Sequence, residues 1–126
     1  MNVLIQVGLC LLAVGALLGW AVVLRLERPE LLTRIGVRSP RRLLQMHLDY
    51  VVMGVILIAV GVALPDLAGW IRALLIAATI VNPILFLPLA FREQWSKALP
   101  YRVVTVLSFT AMSVGTVAAA VTGLGA

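Results

Sequence analysis

The chain has 126 residues, of which 63% are hydrophobic and 12% charged, with a net charge of +5 and a mean hydropathy of +1.12. A soluble domain of this length carries too much surface for so few charges. An intramolecular disulfide or cysteine-based metal site is excluded by the single cysteine, Cys10.

The apolar residues fall in long runs, which predicts an all-α integral membrane four-helix bundle, one transmembrane domain over residues 1–126. The first span covers about Val3–Leu24. It has no basic n-region and is longer than the apolar core of a secretion signal, so it reads as a retained span. Cys10 within it reads as a small packing residue. Gly15 and Gly19 form a GxxxG packing face.

A loop follows that carries Arg25, Arg28, Arg34, Arg38, Arg41 and Arg42. Within it Ser39 can cap, and Pro40 can open, the next helix. The second span covers about Leu43–Leu64 and ends at Pro65-Asp66. It holds the one histidine, His47, with Tyr50, Gly54, Ile58 and Gly61 on the same helical face. The two glycines would leave a shallow groove where a flat cofactor could lie. Asp49 points to the other side, with Met46 and Met53, placed to pair with an arginine or a neighbouring subunit.

The third span, about Leu67–Phe91, contains Thr79, Asn82-Pro83 and Pro88. Each proline frees a backbone carbonyl, at Thr79 and Ile84, and a helix so interrupted beside an Asn can build a polar pocket. By depth, Asn82 and His47 could face one cavity. A short loop with Arg92 and Lys97 leads to the fourth span, about Tyr101–Leu124, which carries Ala111, Gly115, Ala119 and Gly123 at four-residue spacing. At roughly 1.5 Å per residue every span is long enough to cross a hydrocarbon core of about 30 Å.

Apart from Arg72, which follows the hairpin after span two, the basic residues sit in or just beyond the two loops that the positive-inside rule assigns to the cytoplasm, which puts both termini outside. Trp70 and Trp95 fall where aromatic belts lie. The positive charge therefore reports topology and contact with anionic lipid, not nucleic acid. A bacterial inner membrane is the expected location.

A single His with no paired carboxylates excludes a self-contained zinc site, and no Ser-His-Asp set or phosphate loop is present. One imidazole can hold a haem iron on one side and leave the other side open. Arg38, Arg41 and Arg42 are near enough in sequence to hold haem propionates. Each residue also has a plainer reading. His47 could bond a neighbouring helix or a headgroup, Asn82 could be interhelical glue, Asp49 could be ion-paired, and Tyr50 could be a packing aromatic.

The segment His-Leu-Asp-Tyr-Val-Val-Met-Gly (His47 to Gly54), with the apolar run to Leu64-Pro65, the Trp-containing hairpin and Asn-Pro-Ile-Leu-Phe-Leu-Pro-Leu-Ala-Phe (Asn82 to Phe91), resembles the hydroxylaminobenzene mutase and styrene oxide isomerase family. The resemblance covers roughly residues 38–91. Spans one and four match in hydrophobicity alone. It implies a homotrimer of four-span subunits with haem b between them, bound through His47, with Gly54 beside the ring and Arg41 and Arg42 at the cofactor's edge. Asn82 would orient the substrate oxygen, with Tyr50 as a further candidate catalytic residue. The implied reaction rearranges a small apolar molecule from the membrane, either an epoxide to a carbonyl or an arylhydroxylamine to an aminophenol. The positions of the isomerase's pocket Tyr and Asp fall here on Phe86 and Ala78. Two other readings stand beside it: a haem-binding membrane subunit without isomerase activity, and a cofactor-free assembly protein.

Overall fold

The computed structural model describes residues 2–125. Six α-helices follow in chain order: α1 Val3–Glu27, α2 Pro29–Arg34, α3 Arg41–Ala63, α4 Gly69–Ile84, α5 Phe86–Phe91 and α6 Leu99–Leu124, with a 3-10 turn Glu93–Lys97 before α6. No strand occurs among the described residues. Four stretches are long and apolar enough to cross a membrane: α1, α3, the α4–α5 pair and α6. The protein is an all-α membrane bundle, as its hydropathy predicts.

The tightest contact lies between α1 and α3. On α1 the buried positions are Leu4, Gly8, Leu11 and Gly15. On α3 they include Met46, Tyr50, Gly54, Leu57 and Gly61. Both series step by three and four, the spacing that keeps one seam of a helix against its neighbour. At the centre the two backbones touch. A Cβ on Gly8 would lie 2.8 Å from the Gly54 carbonyl oxygen, and one on Gly54 would lie 2.8 Å from the Gly8 carbonyl oxygen. With no hydrophobic drive between helices in lipid, such close approach supplies the dispersion contacts that hold them together. At the far end the Asn2 side chain caps α1 by accepting from the Ile5 N–H at 3.1 Å and donates to the Gly61 carbonyl at 2.8 Å.

The other long helices extend a row of neighbours. α3 packs on α4 and α5, and α4 packs on α6, while α1 and α6 are not neighbours. The fourth-span stripe faces inward: Gly115 meets Leu75 and Leu74, Ala119 is buried, and Gly123 meets Leu64. Since Asn2 reaches Gly61 and Gly123 reaches Leu64, both chain ends lie at the same end of the bundle as the hairpin joining α3 to α4. The arginine-rich loop and the 3-10 turn lie at the other end.

The basic loop is ordered by its backbone. The Val37 N–H donates to the Leu32 carbonyl at 3.0 Å and the Gly36 N–H to the Thr33 carbonyl at 3.1 Å. This is a Schellman ending to α2, with Gly36 at φ +94°, where side chains are strained, and with Leu32 and Val37 buried together. Next, the N–H groups of Arg38 and Ser39 both donate to the Ala90 carbonyl at 2.9 Å, pinning the loop to the end of α5. Ser39 is not the cap expected of it. Its backbone is held by Ala90, and α3 starts at Arg41 with no side-chain cap.

The third span breaks once. Pro83 sits inside α4 and the chain turns at Leu85. Pro88 falls in the first turn of α5, where the missing N–H costs nothing, so it makes no second break. Cys10 lies on the exposed side of α1, not in a packed position.

Three outcomes follow at these glycines. Gly54→Ala must push the helices apart and is expected to lower stability by about 1–3 kcal/mol in an unfolding titration. Gly19→Ala, whose Cβ would meet only the His47 ring at 3.4 Å, should change it by less than ~1 kcal/mol. Gly36→Ala should cost about 1 kcal/mol through the positive φ.

Candidate functional site

His47 stands on the side of α3 that faces α1. Its Nδ1 lies 2.5 Å from the Gly15 carbonyl oxygen. A carbonyl can only accept, so Nδ1 is the donor in this bond, and Nε2 makes no hydrogen bond among the described residues. The ring rests on Gly19, whose missing side chain leaves room for Cε1 at 3.4 Å and Nδ1 at 3.8 Å from where a Cβ would be. Of the GxxxG in the first span, Gly15 packs on α3, where a Cβ would lie 2.9 Å from Val51, and Gly19 is a seat for the imidazole. The closest backbone approach uses Gly8 instead, seven residues before Gly15. The equal spacing of Gly8 and Gly15 with Gly54 and Gly61 is the sequence signal that locates it.

The expected groove beside His47 is filled. Gly54 is buried, and a Cβ there would meet Gly8 and Leu12 of α1. Within one chain, Gly54 therefore packs helices and gives a cofactor no space. Tyr50 is 6% exposed and belongs to the core with Met46, Leu57 and Leu75. It lines no cavity among those found. Arg42 is engaged: its Nε donates to Glu93 at 3.3 Å and one terminal nitrogen donates to Gln45 Oε1 at 2.9 Å. Arg41 and Arg38 are exposed, and their side chains bond nothing among the described residues. The two ion pairs seen are Arg42–Glu93 and an exposed Arg28–Glu30 contact at 2.6 Å. In the latter, the Arg28 guanidinium holds the Glu30 carboxyl below its usual range.

Asn82 lies elsewhere. It is buried on α4, and its Oδ1 accepts a short hydrogen bond from the Ser108 hydroxyl of α6. Its amide nitrogen then has no partner among the described residues and borders a cavity of about 300 Å³ between α3 and α6. The walls are Met53 of α3, Phe86 of α5, and Tyr101 and Phe109 of α6, and Asp49 contributes the one carboxylate. The Tyr101 hydroxyl donates to the Leu85 carbonyl at 2.8 Å, which satisfies an acceptor at the helix break. A pocket does lie beside the proline break, but its wall is mostly apolar, and it takes in Asp49 and not His47. Asn82 and His47 do not face one cavity within the chain. The residue that sequence reasoning turned away from the site, Asp49, is the one that lies in it. The signal was present in its helical angle, about 200° from His47 and toward Met53.

Compared with family models, with curated proteins and with solved structures, the chain matches none. What fold and composition define is an integral membrane protein with four spanning helices.

If the Ser108–Asn82 bond anchors the cavity wall, Ser108→Ala leaves a buried amide oxygen unpaired. It should cost about 1–3 kcal/mol in unfolding experiments. Thr105→Val, in the same wall, removes a hydroxyl that only donates to its own helix at the Tyr101 carbonyl, and should cost under ~1 kcal/mol.

Proposed function

We propose that this protein is a haem-dependent membrane isomerase of small apolar substrates. The observation that carries the reading is the bond from His47 Nδ1 to the Gly15 carbonyl, which leaves Nε2 without a partner among the described residues. A histidine that ligates a metal commonly has its other ring nitrogen held in this way, which sets tautomer and orientation and raises ligand basicity. The donor set fits a haem: one oriented imidazole, with the unengaged guanidiniums of Arg41 and Arg38 at the same end of the bundle for the propionates. When bound, the iron supplies a Lewis-acid centre with one open coordination position.

The groove at Gly54 is closed by α1, so the cofactor belongs between copies of the chain, held by His47 of one subunit. A homotrimer with haem b at its interfaces agrees with this and with the family resemblance. In that arrangement the α3–α6 cleft of a neighbouring copy presents the Asn82 amide N–H groups to a substrate oxygen. The apolar walls accept an epoxide or an arylhydroxylamine arriving from lipid. Tyr50, in the core, acts in this account by positioning α3 and not by touching substrate. The basic loops lie in the cytoplasm and both termini outside, in a bacterial inner membrane.

One observation favours a second reading, a cofactor-free packing protein. The His47–Gly15 bond also ties α1 to α3 at the tightest helix contact in the fold.

An oxidised and reduced visible spectrum of detergent-purified protein separates the two. A Soret band in the wild type that is lost or shifted in His47→Ala supports the haem reading. Unchanged haem in the variant, or no band even after hemin is added, contradicts it. Epoxide and arylhydroxylamine rearrangement assays then distinguish the substrates.

A further inference from the structure

Asp49 is an ionisable side chain inside a membrane span, ~12 Å along α3 from Arg41 at about 1.5 Å per residue. It makes no hydrogen bond and no ion pair among the described residues, and Arg42 of the same helix is committed to Glu93 and Gln45. A carboxylate at such depth is costly unless a cation meets it. It is half-buried at the rim of the α3–α6 cavity, and it also borders a shallow depression on the outer side of α3 with Gln45, Leu48 and Val52. The cavity and this depression share Asp49 and Phe86. Beyond the carboxylate stand three aromatic rings, Phe86, Tyr101 and Phe109, and the remainder of the wall is apolar. One negative charge in front of π faces is the recognition chemistry of an organic ammonium ion.

We propose that the α3–α6 cavity is a binding site for a hydrophobic ammonium cation. The ammonium group sits against Asp49 and the rings, and the apolar body fills the space beside Met53 and Leu85. A volume of about 300 Å³ suits a single aromatic ring with a small cationic head. This is the cleft that the isomerase reading offers to a substrate in a neighbouring copy, but the cation claim stands on Asp49 and the rings, on the opposite side of α3 from His47, and needs no haem.

The test is equilibrium dialysis of radiolabelled benzyltrimethylammonium against the purified protein in a non-ionic detergent. This probe is charged at every pH, and its uncharged carbon isostere, neopentylbenzene, serves as competitor. Saturable binding is expected in the wild type. Asp49→Asn, which keeps the side-chain shape, should weaken it about tenfold or more. Phe109→Leu should weaken it about two- to fivefold. Neopentylbenzene should compete poorly against the cation. Absence of saturable binding, or equal binding by Asp49→Asn, overturns the proposal. So does a wild type that binds no cation and loses its oligomeric state in Asp49→Asn, because Asp49 would then pair with a neighbouring copy. None of these outcomes depends on a Soret band, so this proposal and the isomerase reading fail separately.

Discussion

The arrangement of this bundle depends on the contact of two backbones at Gly8 and Gly54. In lipid, burying one more leucine gains little, because the solvent is as apolar as the side chain. Helices hold together where their surfaces can come closest. By consuming one side of α3, α1 closes the glycine face, seats the imidazole of His47 on Gly19 and presents a carbonyl to it. The other sides of α3 are left for α4, α5 and the cleft toward α6. The division of the polar residues into two places, His47 on one side and Asp49 with Asn82 on the other, follows from that single contact.

The rest of the interior shows how strictly hydrogen bonds are accounted for away from water. The hydroxyls of Thr79, Thr105, Thr116 and Thr122 all return to carbonyls of their own helix, and Tyr101 reaches the carbonyl at the Leu85 break. The Ser108 hydroxyl donates to Asn82 Oδ1 across α4 and α6. At the two sites, the Asn82 amide nitrogen, the Asp49 carboxyl and the Nε2 of His47 stand outside this pattern. Unpartnered polar groups in a membrane cost free energy, so they mark the places where a ligand or second subunit would supply what the chain does not.

Hydropathy alone located the four spans, because a 22-residue apolar run has few alternatives. Its boundaries moved by a few residues where local chemistry took over: α1 runs on to Glu27, and α3 starts before Leu43 because the Ala90 carbonyl, not Ser39, organises its entrance. The small-residue stripe of the fourth span does face its neighbours, while Cys10 does not. The site was only half legible. The helical angle correctly set His47 with Gly54 and Gly61, but a face rich in glycine can be an open groove or a helix contact, and only the partner helix decides. Tyr50 shares that seam and was drawn into the core for the same reason. Asn82 at the proline break was readable as a pocket residue. Its company was not, since which side of α3 faces α6 depends on packing that span periodicity does not encode.

The account turns on the state of one ring. Because His47 is the only histidine, a histidine-selective nitrogen NMR spectrum of the haem-free protein contains a single imidazole. In a neutral ring, the bond to the Gly15 carbonyl fixes one tautomer, with the proton on Nδ1 and a lone pair on Nε2. A ring protonated on Nε2, or one averaging between tautomers, would mean that the Gly15 carbonyl does not orient it, and would contradict the claim that α1 prepares His47 as a ligand.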